Sequence, residues 1–338
     1  MRVLVTGIDG FVGSHAAELL LRESNGAGST EKIELHGTII TEEVRNIAHL
    51  RDSITLHQVD VSDPRRVESL FQEVLPDRVL HIAGQAFVPA ALKNPMETFQ
   101  ANLFGGLSIL EAARKQRVAT GKSPAVLIVS SGEVYGSVDP QSLPITEKAS
   151  IQPNNPYASS KASVDLIAQQ YAKHFDVNVI IVRPFNHAGP GQSPSFVVSD
   201  FARQFAEIAS GRQKPVIHVG NISVRRDFTD VRDVVKAYWL LMERESDEII
   251  FNVASGRAVE IKQLLELLKD VSGLEVEIVQ EQQRIRGYDV PVVVASYDRL
   301  QQATGWTPEI PLRKTLHDVY TYWLAATTEP SPAASSSQ

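Results

Sequence analysis

The run Val3-Leu4-Val5-Thr6-Gly7-Ile8-Asp9-Gly10-Phe11-Val12-Gly13 joins an apolar, β-branched segment to a Gly-x-x-Gly-x-x-Gly turn, and a helical pattern follows over residues 15–22. Such a strand, glycine turn and helix form a cradle for a pyrophosphate. Glycine lets the backbone approach the ligand closely, and the free amides and dipole at the start of a helix favour its charge. A structural turn would account for the glycines but not for their place between a strand and a helix at the head of an alternating chain. Gly7, Gly10, Phe11, Val12 and Gly13 are therefore candidate cofactor contacts.

Outward from this turn, apolar runs recur at residues 33–40, 54–59, 78–82, 125–130 and 177–182. Between them, residues 66–74, 102–117 and 159–174 carry apolar side chains at helical spacing. The alternation predicts an α/β protein with a doubly wound parallel sheet. Residues 24–32 read as a polar loop, and Gly189, Pro190, Gly191 and Pro194 mark a long loop where the chain leaves the sheet. A helix is expected near 201–210, a return to the sheet through a helix at 231–243 and a strand at 249–253, then a helix at 261–268. The expected division is a first domain of residues 1–185 with the return segment 227–253, a smaller C-terminal lobe of 186–226 and 254–325, and a disordered low-complexity tail, 326–338.

A chain of 338 residues that is 43% hydrophobic can bury a large core. Its net charge of -7 and lack of a basic, aromatic-interleaved run argue against a nucleic-acid surface and for a small-molecule partner. The absence of cysteine excludes disulfides, thiolate metal sites and a cysteine nucleophile. No apolar run approaches the roughly 18 residues of a membrane span, and the N-terminus runs straight into the glycine turn. A soluble cytoplasmic protein with no membrane partner is expected. The nine histidines show no metal-ligand spacing, so no metal is expected. His81 reads as a packed strand-end residue, and His187 either lines a pocket or anchors its own loop.

An acidic residue at the end of the second strand would select NAD, and an arginine NADP. Here stands Gly37-Thr38-Ile39-Ile40-Thr41, which is neither; Glu42, Glu43 and Arg45 nearby read as solvated charges, so the choice stays open. Asp60, at the end of the third strand, is placed to accept the adenine amino group, and Ser62 or Asp63 to cap the next helix. Further on, Tyr157 and Lys161 lie four apart, on one helix face. The lysine cation is expected to lower the phenol's pKa into a usable acid/base range. Ser131 follows the 125–130 strand, at the carboxyl end where ligands bind parallel sheets.

The glycine turn, His81-Ile82-Ala83-Gly84, Asn102 in Ala101-Asn102-Leu103, Ser131 before Val134-Tyr135-Gly136, and Pro156-Tyr157-Ala158-Ser159-Ser160-Lys161 together resemble the extended short-chain dehydrogenases/reductases that act on nucleotide sugars. The resemblance spans about residues 1–325 and implies a Rossmann-type fold, an NAD(P)(H) cofactor, and Val61, Ala83 and Asn102 as further cofactor contacts. It implies that Ser131 and Tyr157 hydrogen-bond the reacting sugar oxygen while Lys161 positions the cofactor and tunes the phenol. Asn186 in Phe185-Asn186-His187-Ala188-Gly189-Pro190-Gly191-Gln192 and Arg226 in Arg226-Asp227-Phe228-Thr229-Asp230 correspond to contacts with the nucleotide diphosphate. Arg286 and Asp289 correspond to a phosphate and a ribose contact. The chain is most similar to GDP-6-deoxy-4-keto-mannose reductases, whose relatives are GDP-mannose 4,6-dehydratases. A GDP-sugar substrate and a homodimer through the helices at 102–117 and 159–174 are implied.

Three reactions share this scaffold: reduction of a 4-ketone, 4,6-dehydration and 4-epimerisation. Dehydratases that this chain resembles carry a threonine, then an aspartate or serine, then a glutamate; here the places read Ser131, Gly132 and Glu133. Glu133 is in register with the dehydratase base, but Gly132 offers no acid for the departing hydroxyl. Reduction to a GDP-6-deoxyhexose such as GDP-rhamnose is the favoured reading, with dehydratase or epimerase as the alternative. A dinucleotide-binding sensor would not need the matched acid and cation.

Overall fold

The computed structural model describes residues 1–25, 32–244, 248–284 and 290–328. Its strands are β1 (Arg2–Thr6), β2 (Glu34–Ile39), β3 (Thr55–Gln58), β4 (Arg78–His81), β5 (Ala125–Val129), β6 (Val179–Pro184), β7 (Asn186–Ala188), β8 (Val216–Val219), β9 (Arg225–Asp230), β10 (Ile250–Val253), β11 (Ala258–Glu260) and β12 (Glu277–Gln280). Seven of them form one sheet in the order β10-β6-β5-β4-β1-β2-β3, parallel throughout. This is the Rossmann-type order. Strand order reverses between β1 and β4, and it is there that helices leaving opposite faces open a crevice at the carboxyl ends of the strands.

Strands covered on both faces need apolar residues at successive positions, which is why Val3 to Val5, Val126 to Ile128 and Val179 to Val182 do not alternate with polar residues. One face is covered by helices Phe11–Asn25 and Val231–Met242, with Ala17, Leu20, Val234 and Tyr238 in the core. The other is covered by Pro64–Val74, Gly105–Thr120 and Pro156–Phe175, through Phe71, Leu110 and Val164. A third core joins helices Val197–Ala209, Ile261–Ser272 and Leu312–Thr328 through Phe205, Leu264 and Leu316. Beneath the helix bearing Tyr157, Asp165 and Arg183 form a fully buried bidentate pair at 2.8 and 2.9 Å, which locks that helix to β6.

Several segments depart from the sequence-based outline. Residues 186–188, expected in a loop, form β7 and pair with β9, so one continuous stretch serves first the large sheet and then a small β11-β9-β7 sheet. Of the expected return segment, helix Val231–Met242 and β10 lie in the first unit, whereas residues 227–230 belong to the small sheet. Leu300 and Trp306, grouped by sequence with the second lobe, pack into the core under the large sheet. The last helix continues to Thr328, beyond the expected start of the tail, and residues 329–338 lie outside the described residues, as does most of the 24–32 loop.

Candidate active site

The glycine turn closes with the Gly10 amide donating to the Gly7 carbonyl at 3.0 Å. Gly7 has φ +68°, and a Cβ there would stand 3.0 Å from Ala83 Cα. A Cβ on Gly13 would come within 2.3 Å of the Gly7 carbonyl oxygen, so Gly13 serves the packing of helix against turn and does not face the cleft. The Thr38 hydroxyl accepts from the Gly7 amide at 3.0 Å. The Asp9 carboxylate accepts from the amides of Arg45, Asn46 and Ile47 at 2.9 to 3.2 Å, pinning the segment after β2 to the turn. Amides at the start of helix Phe11–Asn25, a turn free of side-chain bulk and a deep adjoining cleft suit the pyrophosphate of a dinucleotide.

A hydrogen-bonded seam holds the ends of β1 and β4 together. Thr6 Oγ1 accepts from the amides of Ile82 and Ala83 and meets His81 Nδ1 at 2.9 Å, so the hydroxyl's one proton goes to the imidazole. Burial, assisted by the Lys161 cation, pushes His81 down to about 3 and keeps it neutral. Asn102, buried in a π-helical turn at Gln100–Phe104, accepts from the Gln85 amide at 2.8 Å and donates to the Gln85 carbonyl and the Ser160 hydroxyl. It fixes the loop after β4 to the helix that carries Tyr157 and is not itself part of the cleft wall. Asp60 is exposed and accepts from the Ser62 amide at 2.9 Å; its neighbours Val59 and Val61 line the cleft and it does not. Asp63 is the helix cap, accepting from the amides of Arg65 and Arg66.

Ser131 continues β5 in extended conformation, and its hydroxyl accepts from the Glu133 amide at 3.1 Å. Tyr157 and Lys161 rise from helix Pro156–Phe175, which starts where the Asn155 side chain accepts from the Ala158 amide at 2.8 Å and Pro156 occupies the first turn. All three side chains line one cleft of about 960 Å³ that also includes Gly7, Gly10, Phe11, Val12 and Ala83. Lys161 Nζ donates to the Val129 carbonyl at 2.8 Å. Ser130, one residue early, turns inward with its hydroxyl toward the Lys161 carbonyl at 3.4 Å.

The expected effect of Lys161 on Tyr157 is overturned. Burial pushes the Tyr157 phenol up to about 12; Ser131 pulls it down through a hydrogen bond, and the Glu133 carboxylate pushes it further up. Burial also pushes Lys161 down to about 8. A low-dielectric site penalises phenolate and ammonium alike, and the ammonium is turned toward Val129. Tyr157 therefore stays protonated at neutral pH, which suits a proton donor.

Glu133 lies in the cleft wall, and its Oε2 accepts from Asn155 Nδ2 at 3.3 Å. Asn186, His187 and Arg226 line the same cleft. Arg226 Nη1 donates to the carbonyls of Val290 at 2.7 Å and Arg225 at 2.9 Å. His187 fills both of the roles left open for it: its ring stacks on Phe11 at 6.0 Å, and its Nδ1 donates to the Phe185 carbonyl at 2.9 Å. Arg286 and Asp289 lie outside the described residues. Among the described residues, no group of three His, Asp or Glu side chains is placed to hold a metal, and no helix is long and apolar enough to cross a membrane.

Three residues of the site escaped the sequence reading. Asn155 carried a usable signal, an Asn directly before a Pro at a helix start. Asp9, one of the variable places in the glycine turn, and Tyr238, deep in helix Val231–Met242, carried none, because their roles depend on segments distant in the chain.

The family model for GDP-mannose 4,6-dehydratase matches residues 4–319. A GDP-6-deoxy-D-mannose reductase from Pseudomonas aeruginosa is 38% identical over 322 residues, covering 95% of this chain and 97% of that protein. A GDP-mannose 4,6-dehydratase from Dictyostelium discoideum is 29% identical, over 78% of this chain and 73% of that one. Among solved structures, RMD from Pseudomonas aeruginosa complexed with NADPH is 37% identical with a TM-score of 0.81, covering 96% of this chain and 99% of that one. A UDP-glucose 4-epimerase from Thermotoga maritima with UDP-glucose has 26% identity and a TM-score of 0.84, covering 97% of this chain and all of that one (100%).

Proposed function

We propose, since the chain belongs to the GDP-mannose 4,6-dehydratase family, that it is an NAD(P)H-dependent reductase converting a GDP-4-keto-6-deoxyhexose to a GDP-6-deoxyhexose such as GDP-rhamnose. The observation that carries this reading is that Tyr157, buried, lines one cleft with Ser131 and Lys161 and that the cleft begins at a pyrophosphate cradle. A nicotinamide dinucleotide held by the glycine turn and Lys161 would supply the hydride for the carbonyl carbon. As the carbon–oxygen double bond opens onto oxygen, Tyr157 gives that oxygen its proton while the Ser131 hydroxyl holds it. Lys161 binds the cofactor ribose, and solvent restores the proton that Tyr157 has given up. Asn186 and Arg226 hold the diphosphate of the sugar nucleotide, the guanidinium fork matching phosphate geometry.

Gly132 supports reduction over dehydration. A Cβ there would lie 2.9 Å from three atoms of the Phe185 ring, so the acid that would release a C6 hydroxyl as water has no room. Glu133 then orients the sugar, steadied by Asn155.

The reading extends to a homodimer. It would form through the helices at 102–117 and 159–174, where Phe104 and Leu166 are large apolar side chains left exposed. The cysteine-free sequence supports a cytoplasmic location. Reduced cofactor offered separately with GDP-mannose and with its 4-keto-6-deoxy derivative tests the reaction, read by cofactor absorbance and product mass. Consumption only with the keto sugar is expected; water loss from GDP-mannose without net consumption would make the protein a dehydratase.

A further inference from the structure

Among the described residues, two that line the cleft keep a buried polar atom without a partner, Gln192 through its Oε1 and Tyr238 through its hydroxyl; Gln192 still donates from its Nε2 to the His187 carbonyl, whereas the hydroxyl is the only polar atom of the Tyr238 side chain. Tyr238 lies midway along helix Val231–Met242, 0% exposed, with its ring in the core beneath the sheet. Its side chain reaches the cleft wall, and its hydroxyl has no hydrogen-bond partner among the described residues. A phenylalanine would fill the same space without the cost of burying an unpaired hydroxyl. The hydroxyl is thus complemented by something that enters the cleft.

Its place narrows what that is. Helix Val231–Met242 packs against β5 and β6, the strands that lead into Ser131 and Phe185, so Tyr238 sits at the catalytic end of the cleft; its phenol is pushed up first by burial and then by Tyr157. The wall at the ends of β5 and β6 is Val129, Ser130, Ser131, Pro184 and Phe185, and the Ser130 hydroxyl is already directed at the Lys161 carbonyl. Ser131, Glu133 and Asn155 serve the sugar, and Lys161 the ribose. A nicotinamide ring seated against this wall brings one remaining hydrogen-bonding group, its carboxamide, which both donates and accepts as a phenol does.

We infer that the Tyr238 hydroxyl is a cofactor-positioning group that hydrogen-bonds the nicotinamide carboxamide and sets the rotation of the ring toward the sugar. The inference rests on the cleft being a nicotinamide dinucleotide site. Tyr238→Phe tests it by four measurements: fluorescence titration with NADPH or NADH, the same titration with the matching ADP-ribose fragment that lacks nicotinamide, the melting temperature with and without cofactor, and the KM for the keto sugar. The variant is expected to melt at or above the wild type when free of cofactor, to bind the reduced dinucleotide about fivefold to tenfold more weakly, and to bind the fragment unchanged. Equal dinucleotide affinity in variant and wild type, or equal weakening toward the fragment, would overturn the inference. A raised KM for the keto sugar with cofactor affinity intact would overturn it in favour of a sugar contact. Wild-type protein that binds neither dinucleotide would instead overturn the cofactor reading itself, and this assignment with it.

Discussion

The α-carbon of Gly132 and the ring of Phe185 are in such close apposition that a Cβ at 132 would stand 2.9 Å from Cδ1, Cε1 and Cζ. Phe185 is buried and stacks on Tyr135 at 6.2 Å, so its ring cannot swing aside cheaply. Gly132→Ala is expected to destabilise the protein by about 1–3 kcal/mol through overpacking. It should also lower kcat by displacing Ser131, the preceding residue. Denaturant unfolding and steady-state kinetics check both; unchanged stability would show that the ring yields.

Asp9 ties the turn to the segment after β2 through three backbone amides. Asp9→Ala should weaken dinucleotide binding about tenfold, a loss of about 1.4 kcal/mol, with the KM for the sugar nucleotide unaffected. Cofactor titration and substrate KM, measured at saturating cofactor, separate the two. Equal losses for both ligands would point to a general loosening of the fold.

Lys161 makes stability depend on pH. Its pKa is lowered from 10.5 to about 8 in the folded protein, so between these values the unfolded chain holds a proton that the folded chain lacks. Stability from this group therefore rises with pH, and the buried ammonium costs the folded state on the order of 3 kcal/mol below pH 8. Lys161→Met removes that dependence. The variant's stability relative to wild type should fall as pH rises from 7, by about half of that amount at pH about 9.5. Tyr157 has the opposite sign: its raised pKa keeps the proton longer in the folded state, and its contribution is lost as pH rises from 10 toward about 12. Denaturant midpoints of both proteins from pH 7 to 9.5 provide the check.

The buried Asp165–Arg183 pair is a vulnerable point of the catalytic helix. Asp165→Ala strands an arginine that is pinned between β6 and Tyr135, whose hydroxyl accepts from Arg183 Nη1 at 3.0 Å. A loss of about 3–5 kcal/mol is expected. The double variant Asp165→Leu with Arg183→Met should recover most of it, which urea unfolding of the set would show.

Glu133→Gln keeps the size of the side chain and its contact with Asn155 but removes the charge. The KM for the keto sugar should rise severalfold with the hydride step nearly intact, as read from single-turnover oxidation of the reduced cofactor. If C5 proton exchange is present in the wild type and vanishes in this variant while reduction persists, Glu133 acts as a base on the sugar.

Much of this protein was legible before folding, wherever the signal is local in the chain. The run from Val3 to Gly13, the alternation of apolar strands with helical spacings, and the four-residue step from Tyr157 to Lys161 each fix a local geometry, and chirality then dictates a parallel sheet with its ligand at the strand ends. The tertiary structure decided what depends on neighbours distant in sequence. Asp60 turned away from the cleft to serve the Ser62 amide, and Asn102 became a brace between a loop and a helix. The empty place at Gly132 proved to be filled by Phe185, and the unpaired hydroxyl of Tyr238 was set beneath the catalytic end of the cleft. The protonation of Tyr157 and Lys161 was decided in the same way: a spacing can bring a cation to a phenol, but desolvation sums over everything that surrounds both, and only the assembled fold contains that sum.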